Sequence, residues 1–293
     1  MVHYRRRAAS FLVLCSLLIA NGISPSLANP LPAVQEICQR IDNKLTSVSL
    51  QECLSFHFQL DQGVSVNGSP LIYRDFHAVG GRKPLGKILL LGGIHGDEYA
   101  SISIVFKWLK TLEEHHRGLF EWRIYPLTNP DGLLRKDPTR TNAHGVDLNR
   151  NFATPNWEKE STHYWHQQTG KDPRRFPGKT ALSEPEAQWI TREIDRYKPD
   201  IIVSVHAPYN LLDFDGPPSS PPKRLGSLVL SPLGTFPGSL GRYSWSVKNI
   251  PLITIELPHA GILPSPANIQ QIWNDMVGWM QNHLKKGKRP ISK

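Results

Sequence analysis

The stretch Gly92-Gly93-Ile94-His95-Gly96-Asp97-Glu98 sets an imidazole and a carboxylate three residues apart in a tight glycine turn. Two such groups can converge on one ion, and Zn²⁺ takes mixed nitrogen and oxygen ligands. A second imidazole, His206, follows the apolar run 201–205 and precedes an Ala207-Pro208 stop. His95, Glu98 and His206 then form a His₂Glu set, the three-ligand arrangement that leaves a fourth position for water. That water needs a base. Glu256 stands inside the apolar run 251–257, where an unpaired carboxylate would cost roughly several kcal/mol unless it had a role. Arg140, Asn149 and Arg150 lie in a polar stretch, and guanidinium groups hold carboxylates by paired hydrogen bonds or face a developing oxyanion.

The elements that must position these residues follow from periodicity. Residues 87–93 form a continuous apolar run ending in Gly-Gly, as a buried sheet strand does. A helix follows, with Ile102, Val105, Trp108, Leu109 and Leu112 on one face. Residues 120–127 read as a strand closed by an Asn129-Pro130-Asp131-Gly132 turn, and 132–182 as a polar loop. Ser183, Pro185 and Glu186 open a helix with a capping box, and Trp189, Ile190, Ile194 and Tyr197 are its apolar stripe. Residues 200–205 are rich in β-branched side chains and predict a central strand. The Pro/Gly-rich stretch 216–237 suits a long surface loop, 250–257 a further strand, and a helix begins at Ser265-Pro266. Upstream, a short helix over 33–45 and strand-like alternation over 47–73, broken at Asn67-Gly68, read as an N-terminal segment ending in a hairpin. Strands alternating with helices predict an α/β fold: a mixed, largely parallel central sheet with helices on both faces.

His95-Gly-Asp-Glu98, Asn129-Pro-Asp-Gly132, Val146-Asp-Leu-Asn-Arg150, the His206 that follows a strand, and Thr254-Ile-Glu256 resemble, in order and spacing, the zinc metallocarboxypeptidases of the carboxypeptidase A type. The resemblance runs over residues 85–284 and implies the three-layer fold of that family. It implies one Zn²⁺ per chain on His95, Glu98 and His206, with Glu256 as general base and acid. Arg140 becomes the oxyanion clamp, and Asn149 with Arg150 the holders of a substrate's terminal carboxylate. Phe176-Pro-Gly178, Leu182-Ser-Glu-Pro-Glu186, Asp215-Gly-Pro217 and Pro237-Gly-Ser-Leu-Gly241 look like the bacterial branch that cuts murein peptides between γ-D-Glu and meso-diaminopimelate. Digestive members carry a tyrosine where this chain has Leu233-Gly-Thr-Phe236, which leaves Tyr243 and Tyr209 as stand-ins. Arg242, just after the Gly-Ser pair, is expected in the pocket for the released residue, gripping the second carboxylate of diaminopimelate while Asp213 or Asp215 holds its amine. Competing readings are a carboxypeptidase for ordinary peptide C-termini, an endo-acting amidase, a zinc deacylase of small N-acyl amino acids, and a wall-binding protein without activity.

The 293 residues, 39% hydrophobic and 20% charged, exclude a disordered or collagen-like chain. The net charge is +9, three units of it from Arg5, Arg6 and Arg7, and no charge block or aromatic-basic motif of a nucleic-acid reader appears. Those arginines precede an apolar run over 8–20 and a Ser26-Leu27-Ala28 pattern suited to signal-peptidase cleavage. Residues 1–28 are therefore expected to be a signal peptide and 29–293 one catalytic domain, with 29–80 as its N-terminal segment. The run is short for a bilayer span, so the mature chain is expected to be periplasmic or secreted, without stable membrane insertion, and monomeric. Export leaves Cys38 and Cys53, the count expected of one disulfide, which would contribute about 3 kcal/mol.

Overall fold

The computed structural model describes Met1, residues 30–81 and residues 83–287; the signal segment expected over 1–28 lies, past Met1, outside the described residues. The chain begins with α1 (Pro30–Asp42) and α2 (Leu50–Ser55), followed by the hairpin β1 (Gln59–Val64) and β2 (Pro70–Phe76). Next come β3 (Lys87–Leu91), α3 (Tyr99–His115), β4 (Glu121–Tyr125) and the single turn α4 (Pro130–Leu133). Helices α5 (Trp157–Gln167) and α6 (Pro185–Tyr197) lead to β5 (Ile201–His206) and β6 (Leu211–Asp215). The small ribbon β7 (Arg224–Leu225) and β8 (Leu228–Val229), then α7 (Leu240–Ser246), β9 (Leu252–Glu256) and α8 (Pro266–Gly287), complete the order.

Seven strands form one mixed sheet in the order β1-β2-β4-β3-β5-β9-β6. The four in the middle, β4, β3, β5 and β9, run parallel, and the antiparallel members are β1 and β2 at one edge and β6 at the other. The apolar runs that predicted central strands hold those places: Ile88 to Leu91 and all of β5 are buried. Their burial on both faces requires a cover on each side. One face packs on α1, α2, α3 and α8, with Trp122 stacked on Trp273 at 5.0 Å between ring centroids. The opposite face packs on α6 and α7 through Trp189, Ile190, Ile194, Leu240 and Tyr243. The expected α/β architecture is thus present.

Four local expectations need correction. Residues 50–55 form α2 rather than strand, because Ser49 caps the helix by accepting the Glu52 N–H at 3.1 Å and Cys53 is drawn inward to Cys38. That disulfide ties α2 to α1, with 5.6 Å between Cα atoms. The Asn129-Pro130 turn is instead the start of α4, with Asn129 Oδ1 accepting the Gly132 N–H at 2.9 Å. The expected capping box of α6 does not form: Glu184 is the N-cap without a side-chain bond, and Glu186 accepts from the Val66 N–H and Asn142 instead. The stretch 216–237 is not loop throughout, since the β7–β8 ribbon buries Leu225 and Leu228 completely.

Candidate active site

Strand register assembles the site. In the parallel pair β5–β9, His206 lies opposite Glu256, so the last residues of two neighbouring strands stand side by side. On the other flank of β5, β3 ends at Leu91, and the turn that follows returns His95 and then Glu98, the N-cap of α3. All four residues therefore gather at the carboxyl ends of parallel strands, where ligands of open α/β sheets bind. Gly96 permits this: a Cβ there would lie 2.1 Å from the Gly132 carbonyl carbon. The turn is pinned by Asn129, whose Nδ2 donates to the Ile94 carbonyl at 3.2 Å and to that of Arg140 at 3.3 Å.

His95 Nδ1 lies 2.7 Å from Glu98 Oε1 and 3.2 Å from His206 Nδ1, and His206 Nδ1 lies 3.3 Å from Glu98 Oε2. The far nitrogens are occupied elsewhere: His95 Nε2 faces Asp147 Oδ1 at 3.2 Å and His206 Nε2 faces Ser204 Oγ at 2.9 Å. Both rings thus turn Nδ1 toward a common point, with ligand atoms of His95, Glu98 and His206 all within 4.8 Å of one another. Two imidazole nitrogens facing each other beside a carboxylate suit a shared cation, and the donor set suits zinc. Burial would raise Glu98, but the imidazoles of His95 and His206 hold its carboxyl well below the usual range.

Glu256 completes the ring. It is buried and its Oε2 has no hydrogen-bond partner. Burial, then the like charge of Glu98, pushes its carboxyl up to about 8, and a dication beside it acts in the opposite sense. Arg140 donates from Nε to Asp147 Oδ2 at 2.9 Å and from Nη1 to Glu98 Oε1 at 3.3 Å.

Asp147 is a residue that sequence reasoning passed over, although it lies within the Val146-Asp-Leu-Asn-Arg150 run. It is fully buried, and Arg140 and His95 overcome the effect of burial to hold its carboxyl well below the usual range. One carboxylate thereby orients both the His95 imidazole and the Arg140 guanidinium. Asp147→Asn is expected to weaken zinc affinity about 10- to 100-fold, as loss of such outer partners does, and competition with a chromogenic chelator measures this.

The cluster opens into a cleft of about 530 Å³ lined by Arg140, Asn149, Arg150, Asp213, Asp215 and Glu256, among others. Asn149 Oδ1 accepts the Leu240 N–H at 2.8 Å, which fixes that side chain against α7. Arg150 Nη1 donates to the Asn149 carbonyl at 2.6 Å and its guanidinium lies 4.5 Å from the Phe236 ring centroid, while its buried Nε has no partner. Phe236, from the expected tyrosine-bearing stretch 233–236, thus lines the cleft beside Arg150. Asp213 and Asp215 have no ion-pair partner among the described residues. Burial, then the charge of Asp213, raises the Asp215 carboxyl to about 7.

Two expected pocket residues are elsewhere. Arg242 does not line the cleft, because its Nη1 pairs with Glu160 Oε2 at 2.6 Å on α5, a helix hidden within the expected polar loop. Tyr243 points into the core, 3% exposed and stacked on Phe152. Gly241 borders the cleft instead, and a Cβ there would strike Asp215 Oδ2 at 1.9 Å. Tyr209 does line the cleft, as does Arg175, which sequence reasoning also missed.

Comparison with known proteins agrees with this geometry. The zinc carboxypeptidase family profile matches residues 52–217, and the chain belongs to that family of zinc-dependent hydrolases. Among its relatives, murein peptide amidase A of Escherichia coli K12 is 35% identical over 204 residues, covering 67% of this chain and 79% of that protein. The crystal structure of murein-tripeptide amidase from E. coli O157 superposes with a TM-score of 0.50 at 28% identity, covering 78% of this chain and 92% of that one. Carboxypeptidase A from Helicoverpa armigera, 16% identical, shares the fold with a TM-score of 0.63 over 82% of this chain and 72% of its own.

Proposed function

We propose that this chain is a zinc-dependent amidase of murein peptides that hydrolyses the bond between γ-D-Glu and meso-diaminopimelate. The observation that carries the reading is the cleft beside the His₂Glu cluster, which offers a partly unpartnered buried guanidinium at one place and two unpaired carboxyls at another. A released residue with both a carboxylate and a side-chain ammonium satisfies both, and relatives named murein peptide amidase point to diaminopimelate.

His95 and His206, each through Nδ1, and Glu98 would hold the zinc. When bound, the ion supplies a Lewis acid that polarises the carbonyl and makes water acidic. Glu256 accepts the proton of the attacking water and passes it to the leaving amine, the same oxygen serving in both directions. Arg140 holds the oxyanion with a charge already oriented by Asp147. Arg150 and Asn149 receive the terminal carboxylate, and Asp213 with Asp215 the ammonium. Export of the mature chain to the periplasm belongs to the same reading; no described helix is long and apolar enough to cross a membrane.

Mass spectrometry of digests checks the bond. The tripeptide L-Ala-γ-D-Glu-meso-diaminopimelate is expected to yield L-Ala-D-Glu and free diaminopimelate. Blocking its terminal carboxylate with D-Ala should lower kcat/KM by roughly 10- to 100-fold, because Arg150 loses its anion. Faster turnover of hippuryl amino acids than of the tripeptide would instead establish an ordinary carboxypeptidase.

A further inference from the structure

A second, smaller cleft of about 200 Å³ adjoins the first. Arg140, Asp172, Arg175 and Tyr209 line both, but the smaller one extends to Asp97, Arg174 and Ala207 and reaches neither Asn149 nor Arg150. A substrate whose released half lies against Arg150 and whose scissile carbonyl faces Arg140 must send its acyl half the other way, into this second cleft.

The cleft is rich in arginine, and its three guanidiniums differ in commitment. Arg140 is engaged by Asp147 and Glu98, and Arg174 Nη2 donates to Asp97 Oδ2 at 2.7 Å. Arg175 is different. Its Nε makes a long ion pair with Asp172 Oδ2 at 3.7 Å, beyond hydrogen-bond distance, and Asp172 Oδ1 accepts the Arg174 N–H at 2.9 Å. Among the described residues its guanidinium makes one hydrogen bond, from Nη2 to the Tyr209 hydroxyl at 3.3 Å. The backbone that carries it is nevertheless fixed: the Asp172 carbonyl accepts from Trp165 Nε1 at 2.8 Å, and the Phe176 carbonyl accepts the Asp147 N–H at 2.8 Å. The second of these ties Arg175, through its neighbour, to the residue that orients His95 and Arg140.

A γ-linked glutamyl group presents a particular chemistry at this point. Its scissile carbonyl belongs to the side chain, so its α-carboxylate is free and lies a few methylenes from the reacting carbon on the acyl side. We infer that Arg175, held beside Tyr209, binds this free α-carboxylate and makes the enzyme selective for acyl residues that carry it. The inference rests on the amidase reading above, which concerns the bond cut; it adds a group that recognises the acyl half.

Two synthetic tripeptides test it, L-Ala-γ-D-Glu-meso-diaminopimelate and the analogue in which the glutamyl α-carboxylate is a carboxamide. The wild-type enzyme is expected to favour the free acid by roughly 10- to 100-fold in kcat/KM, since a charged partner is replaced by a neutral one. Arg175→Ala should bring the ratio of the two close to one, and Arg175→Lys should keep part of it as a single-point cation. Equal rates of wild-type cleavage at the expected bond would overturn the inference and leave the amidase reading standing. An Arg175→Ala variant slowed equally on both peptides would also overturn it, assigning the arginine a structural role. Cleavage of neither peptide by the wild-type enzyme would remove the amidase reading and this inference together.

Discussion

Glu256→Gln is expected to lower kcat by about 10³- to 10⁴-fold while the protein still binds zinc. The substitution keeps side-chain volume and the hydrogen-bonding outline but removes the proton acceptor. The position admits no nearby substitute: β9 delivers Glu256 opposite His206, and its Oε2 is the buried oxygen beside the cluster that has no partner. Glu184 is not available for the task, because its carboxylate accepts from Asn142 Nδ2 at 2.7 Å and contacts His144 Nδ1 at 2.8 Å. Asp213 lies in the cleft but accepts the Phe214 N–H at 2.8 Å on the edge strand. Single-turnover kinetics on the tripeptide, run beside metal analysis of the same preparation, separates loss of chemistry from loss of metal. Activity within tenfold of wild type would transfer the base to another group.

His206→Ala is expected to abolish both zinc retention and turnover. The ring is buried, with Nε2 held at Ser204 and Nδ1 turned toward His95 and Glu98, so truncation removes one of the three proposed ligands. Folding should survive, because β5 remains paired with both neighbours along its backbone. Added zinc should raise the melting temperature of the wild-type protein and leave that of His206→Ala unmoved, since a ligand that binds only the native state stabilises it by mass action. A variant that keeps its zinc through dialysis and responds to it in melting would remove His206 from the ligand set.

The central strands were legible because burial on both faces leaves a compositional mark: runs such as Lys87-Ile-Leu-Leu-Leu91 and Ile201-Ile-Val-Ser-Val205 have few other uses. The residues that end those strands, His206 and Glu256, and the His95 and Glu98 of the following turn, were legible for the same reason, being polar groups at the limits of apolar runs. What stayed hidden depends on contacts distant in sequence. Helix α5 buries little beyond Trp157 and Ser161, so its sequence reads as polar loop. Arg242 stood beside a pocket motif, yet its direction is set by Glu160, 82 positions earlier in the chain and on that unseen helix. Asp147 and Arg175 carry no local pattern that distinguishes them from solvated loop charges; only the fold shows that one orients His95 and that the other borders two clefts.

The placement of chemistry and selectivity on different strands affects how such a molecule can change. His206 and Glu256 sit on strands bonded on both sides, where a backbone shift disturbs two ladders at once. Asp213 and Asp215 sit on β6, the last strand of the sheet, which pairs with β9 along its length and on its outer side carries a single bridge from Leu212 to Leu230. On the proposed assignment of Asp213 and Asp215 to the ammonium, side-chain replacements on this margin would alter which amine the cleft accepts without moving His206 or Glu256. A lineage can therefore exchange one leaving residue for another through the outermost strand while the hydrolytic apparatus stays fixed behind it.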